Sequence, residues 1–219
     1  MVKYVLFDID DTLFPSTEFS SMARKNALNA MISMGINSDY DALNKLLTEV
    51  IKKKGSNYPK HFNELCKQLN VKDPGRFIAA AIGAYHNTKS SIQVFPTVTP
   101  TLMKLKQNGY KLYVATSGSS IKQWDKLIRL NIALYFDGVF VSEEVGREKD
   151  LFFYKKILKT LNSEPEDCIM IGDREDADIL PAQKAGLKTV RMLAGKYSGG
   201  PSVADFTIKD ISELLQIIK

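Results

Sequence analysis

Val2-Lys3-Tyr4-Val5-Leu6-Phe7-Asp8-Ile9-Asp10-Asp11-Thr12 decides how the rest of the chain is read. Residues 2–7 are largely apolar and stop at an acid, the pattern of a short buried strand that delivers polar groups at its carboxyl end. Similar runs recur at 112–115, 139–141, 169–171 and 189–193, with a weaker sixth at 204–208. Between the later runs the apolar residues take helical spacing: Ile121, Trp124, Leu127 and Ile128; Phe153, Ile157, Leu158 and Leu161; then Ile179, Ala182 and Ala185, closed by Gly186. Strand alternating with helix predicts an α/β fold with a doubly wound parallel sheet, a Rossmann-like core.

That rhythm breaks after the first strand. Leu43, Leu46, Leu47, Val50 and Ile51, and later Phe77, Ile78, Ala81, Ile82 and Tyr85, keep helical spacing without a convincing strand between them. The spacing predicts an all-helical insert, or cap, over 15–94, with the core made of 1–14 and 95–219. Phe14-Pro15-Ser16-Thr17 and Phe95-Pro96-Thr97-Val98-Thr99-Pro100 would be its two stiffened connections.

With 219 residues and 44% hydrophobic content, the chain can bury a sizeable core. No apolar run approaches the ~18–20 residues of a membrane span, and the first run meets acid at Asp8, unlike a secretory leader, so a cytoplasmic protein without a membrane partner is expected. Cys66 and Cys168 each sit in an apolar pattern and read as buried thiols. The net charge of +5 suits an anionic ligand. No basic run is interleaved with aromatics, which argues against a nucleic-acid partner.

Four strand ends carry the chemistry. Alternate residues of an extended chain share a side, so Asp8 and Asp10 can face one crevice, and two close carboxylates call for a cation or a shared proton. Thr116-Ser117-Gly118 ends the second strand with hydroxyls and a turn able to donate to a phosphoryl group, or to cap the next helix. Ser142-Glu143-Glu144-Val145-Gly146-Arg147-Glu148-Lys149 follows the third strand, from which Lys149 can reach the carboxylates. Gly172-Asp173-Arg174-Glu175-Asp176-Ala177-Asp178 ends the fourth with hard oxygen ligands of the kind magnesium prefers; Asp176 is the candidate for plain helix capping. In the insert, Tyr58 and His61 lie in a turn-rich stretch, 55–62, that is either a surface connection or a substrate-facing segment.

These motifs resemble the haloacid dehalogenase-like hydrolases, over essentially the whole chain. The family's DxDxT matches Asp8-Ile9-Asp10-Asp11-Thr12, its GDxxxxD matches Gly172 through Asp178, and Thr116 and Lys149 stand for the second and third motifs. The insert falls where members with a helical cap after the first strand carry theirs. The resemblance implies a Mg2+-dependent phosphatase of small phosphate esters in which Asp8 is phosphorylated, and Asp10 protonates the leaving oxygen and then activates water. It implies that Thr116 and Lys149, with Ser117 and Gly118, hold the phosphoryl group. Asp173 would bind the metal with the Asp8 carboxylate and the Asp10 backbone carbonyl, supported by Asp178. One departure is that Asp150-Leu151-Phe152 follows Lys149 where many relatives have Pro-x-Pro.

Asp10 favours phosphoryl chemistry over 2-haloacid dehalogenation, which needs no protonating carboxylate there. A phosphomutase would share the core, and a phosphoacceptor or binding protein would share the fold without turnover. Oligomeric state is not legible in the chain.

Overall fold

The computed structural model describes residues 2–56 and 58–218. Strands β1 (Tyr4–Phe7), β2 (Lys111–Thr116), β3 (Gly138–Val141), β4 (Cys168–Gly172), β5 (Lys188–Met192) and β6 (Phe206–Ile208) form one sheet in the order β3-β2-β1-β4-β5-β6, every pair parallel. Each expected run becomes a strand, β1 starting at Tyr4 rather than Val2. β4 is buried throughout and β1 nearly so, as befits parallel strands covered on both faces, and this is why they read as unbroken apolar runs.

The helices are α1 (Ser16–Ser33), α2 (Tyr40–Lys54), α3 (His61–Gln68), α4 (Gly75–Lys89) and α5 (Val98–Gln107) before β2; α6 (Ser120–Arg129) before β3; α7 (Ser142–Val145) and α8 (Leu151–Leu161) before β4; α9 (Leu180–Lys184) before β5; and α10 (Leu214–Ile217) after β6. The chain runs outward from β1 through β2 to β3, then returns to place β4 on the other side of β1. Strand order therefore reverses between β1 and β4, and an open parallel sheet binds its ligands beyond the carboxyl ends at that point.

The chain forms two compact units, Met1–Thr17 with Gln93–Lys219, and Glu18–Ile92. Each has its own apolar core. In the sheet unit Leu6, Ala115 and Met170 pack with Phe153, Tyr154 and Ile157 of α8. In the helical unit Ala27, Leu28 and Met31 of α1 pack with Leu43 and Leu47 of α2, Leu65 and Cys66 of α3, and Phe77 and Ala81 of α4. Asp39 starts α2 by accepting from the Ala42 N–H at 2.8 Å, and Lys52, Lys53 and Lys54 sit in its last turn, where cations complement the helix dipole. In the sheet unit the two chain connections are pinned together, the Phe95 N–H donating to the Leu13 carbonyl at 3.0 Å.

Helix α6 forms where the apolar spacing predicts it, but Leu127 is the member of that set it buries, together with Gln123; Ile121, Trp124 and Ile128 are exposed. Cys66 and Cys168 are free and buried. Among the described residues no helix is long and apolar enough to cross a membrane.

Candidate active site

The N–H of Asp8 donates to the Ile171 carbonyl at 2.9 Å, carrying the β1–β4 pairing one residue past the strand and fixing Asp8 at the reversal point. Its side chain is buried, with Oδ1 accepting from Lys149 Nζ at 2.6 Å. Lys149 also donates to the Ala115 carbonyl at 3.2 Å and to Asp178, so its three protons meet three oxygens. Burial works against the Lys149 charge, but Asp178 and Asp8 outweigh it and hold the ammonium well above the usual lysine range. Tyr154 closes the floor, its hydroxyl donating to the Ala177 carbonyl at 2.9 Å. After Lys149, Asp150 Oδ1 accepts from the Phe153 N–H at 2.9 Å and starts α8, which is how the chain enters that helix without Pro-x-Pro.

Beyond β4 the chain makes one wide helical turn over Glu175–Ile179. Asp178 Oδ2 accepts from the Arg174 N–H at 3.0 Å, reaching back from inside the turn to the residue that precedes it. The expectation that Asp176 caps this helical turn is corrected: no side chain caps it, and the Asp176 carboxylate is paired with the Arg174 guanidinium at 2.6 Å. Asp178 comes this close to the strand end because residue 172 is glycine; a Cβ there would overlap the Asp178 carboxylate.

Asp8, Asp173 and Asp178 each offer a carboxylate oxygen within 4.8 Å of the others, and all three are buried. Three acids against one lysine leave negative charge unbalanced. Burial, then Asp8, Asp178 and Asp11, push Asp173 up to about 8, with Lys149 opposing. A hard divalent cation among these oxygens relieves that repulsion, so the donor set fits magnesium. The Asp10 side chain is outside this cluster. Both its oxygens accept from Lys126 Nζ of α6, at 2.6 and 2.7 Å, leaving only its backbone carbonyl for the metal role that the resemblance implies.

Thr116 is buried at the end of β2, level with Val141. The turn after it is tied to the start of α7: Gly118, at φ 116°, donates its N–H to Ser142 Oγ at 2.9 Å, and the Ser120 N–H donates to Glu143 Oε2 at 2.8 Å. Gln123 Nε2 donates to the Ser117 carbonyl at 2.6 Å. The Gly118 amide is thus committed to Ser142, which narrows its expected part in phosphoryl binding to allowing the turn. Tyr58 and His61 belong to the helical unit, where Tyr58 donates to Glu64 at 3.3 Å, His61 Nε2 lies 2.9 Å from the Gly55 carbonyl, and the two rings meet edge to face. Asn57, in the same stretch, lies outside the described residues.

Sequence reading missed Lys126. The available signal was its place on α6, where Lys122, Gln123, Arg129 and Leu130 are its neighbours three and four residues away and none is an acid.

The sheet order, the buried aspartates at the reversal point and the lysine across them define a class, and comparison with known proteins agrees. Residues 5–192 match the family described as haloacid dehalogenase-like hydrolase, and the chain belongs to it. The chain is 44% identical over 223 residues to a glyceraldehyde 3-phosphate phosphatase of Methanocaldococcus jannaschii, covering all of this chain and 98% of that one. It is 42% identical over 228 residues to a protein of the same description from Methanopyrus kandleri, with the same coverage. Among solved structures, a haloacid dehalogenase-like hydrolase from Bacillus subtilis bound to magnesium superimposes with a TM-score of 0.72 at 21% identity, covering all of this chain and 99% of that one. Within the family this chain is a phosphatase of small phosphate monoesters.

Proposed function

We propose that the chain hydrolyses glyceraldehyde 3-phosphate, or a three-carbon ester close to it, through an aspartyl-phosphate on Asp8. The observation that carries the mechanism is the convergence of Asp8, Asp173 and Asp178 on one point with Lys149 lodged against two of them. The relatives that match the whole chain carry the substrate.

Asp8, held by Lys149, attacks phosphorus; the phosphorus–ester oxygen bond breaks and an acyl phosphate forms. Asp10 gives its proton to the departing alkoxide. It then takes a proton from water as that water attacks phosphorus, and the bond to Asp8 breaks to release inorganic phosphate. Lys149 and the Thr116 turn offset charge on the phosphoryl oxygens. Magnesium held by Asp8, Asp173 and Asp178, with the Asp10 carbonyl, would supply further neutralisation of that charge.

The test is phosphate release from a panel of phosphorylated metabolites with magnesium and with chelator. Glyceraldehyde 3-phosphate should rank at or near the top, and chelation should abolish turnover. A different ester far ahead overturns the substrate; full activity after verified metal removal overturns the metal.

A further inference from the structure

Two lysines serve the first-strand aspartates, and only Lys149 belongs to a motif. Lys126 is 116 residues from Asp10 in sequence and donates to both its carboxylate oxygens, at 2.6 and 2.7 Å. Its ammonium also lies 5.9 Å from the centre of the Phe14 ring. Phe14 closes the turn that Asp10 opens: the two residues form a bridge, and the Asp11 N–H donates to the Phe14 carbonyl at 3.0 Å. Lys126 therefore touches both ends of the 10–14 turn.

An exposed helical lysine ordinarily finds an acid three or four residues away or remains solvated. Lys126 has no such neighbour, and Asp125 beside it pairs with Arg129 at 2.8 Å. The Lys126 side chain is 20% exposed and the Asp10 side chain 40% exposed, so Asp10 lacks the enclosure that fixes Asp8. Without Lys126 a half-exposed carboxyl at the tip of a turn is free to rotate about two torsions. An acid–base group must lie within hydrogen-bond reach of the oxygen it serves.

We infer that Lys126 is a positioning residue that aims the Asp10 carboxyl at the leaving-group oxygen. The inference rests on the reading of Asp10 as acid and base. The cost of losing the aim depends on how badly the leaving group needs a proton. An alkoxide departs only with one; a nitrophenolate departs without.

The experiment compares kcat/KM, which reports steps only up to leaving-group departure, for p-nitrophenyl phosphate and for the best alkyl ester of the metabolite panel. Lys126→Met should lower the alkyl value by about 10-fold or more and the aryl value by under about 3-fold, the pattern of a weakened general acid. Lys126→Arg, which keeps a cationic donor, should restore most of the alkyl value. Thermal unfolding confirms that each variant is folded. Equal losses on both esters, or no loss on either, overturn the inference, and Asp10→Asn serves as the reference. If Asp10→Asn separates the esters and Lys126→Met does not, Lys126 has no such role; if Asp10→Asn fails to separate them, the reading of Asp10 itself falls.

Discussion

Asp8 and Asp10 leave the same strand two residues apart and meet opposite surroundings. The Asp8 side chain is 8% exposed beside a lysine that is 2% exposed, with Asp173 and Asp178 against it. Asp10 is 40% exposed, and its lysine reaches it from the surface of α6. A nucleophile that must strike one atom along one line gains from a rigid, water-poor setting, whereas a group that moves protons to a departing alcohol and from an arriving water has to meet both. The difference teaches that the period of two along a strand puts two acids on one side without giving them one environment. Burial, supplied by β4 and Lys149, sets the two apart and suits them to the two roles proposed.

The sharpest way to break this comparison is to remove each carboxylate in turn. Asp8→Asn should cost at least about 10⁴-fold in kcat, as loss of a nucleophile does, and leave no phosphoprotein. Asp10→Asn should cost about 10²–10⁴-fold, the usual worth of acid–base help, and still permit phosphorylation of Asp8. Intact-mass detection of phosphoprotein separates the two; label on Asp8→Asn, mapped to another residue, would reverse the assignment.

A smaller effect distinguishes the buried side in stability. Because Asp173 is raised to about 8 in the folded chain against ~3.9 when unfolded, the metal-free fold binds that proton more tightly than the unfolded chain does. The resulting stability is fully present below about pH 4 and is lost as pH rises through about 8. Other groups shape the acid end, so the window to examine is pH 5–9. There the chelated protein should lose about 2–4 kcal/mol, or several degrees in Tm, and magnesium should remove most of the slope. A flat Tm in chelator would show that the three acids do not repel one another as described.

The smallest effect is expected away from the strand ends. Tyr58 and His61 are engaged by Glu64, the Gly55 carbonyl and each other. Tyr58→Phe and His61→Ala should therefore leave the ranking of phosphate esters unchanged within about 2-fold and lower stability by about 0.5–1.5 kcal/mol, the net worth of a hydrogen bond. A reordered ranking would place this stretch among the substrate contacts instead.

How legible this was depends on the range of the interaction. β1 and β4 could be read because strands buried on both faces are apolar at consecutive positions, and Asp8 and Asp173 because they stand where those runs stop. The start of α8 was masked by its first residues: Asp150 looks like one more acid in a charged loop until its contact with the Phe153 N–H is seen. Helix α6 was legible from its spacing, although Ile121, Trp124 and Ile128 are exposed. The Lys126–Asp10 pair was missed because its one local sign, no acid three or four residues from Lys126, does not say which residue it meets 116 positions away. The close seat of Asp178 against the strand end depends on the missing Cβ at Gly172, which spacing alone does not reveal.

The hydrogen bond between the Phe95 N–H and the Leu13 carbonyl puts the start and end of the helical insertion side by side. The sheet unit therefore meets the inserted chain at what amounts to a single socket. Whatever is plugged in there needs only two neighbouring ends and a core of its own, and Leu28, Leu47, Leu65 and Phe77 supply such a core independently of the sheet. A short linker across the socket, or a foreign helical module in place of 18–92, should leave β1 and its aspartates in register. Such an architecture lets a whole module be exchanged while the residues at the strand ends stay in place.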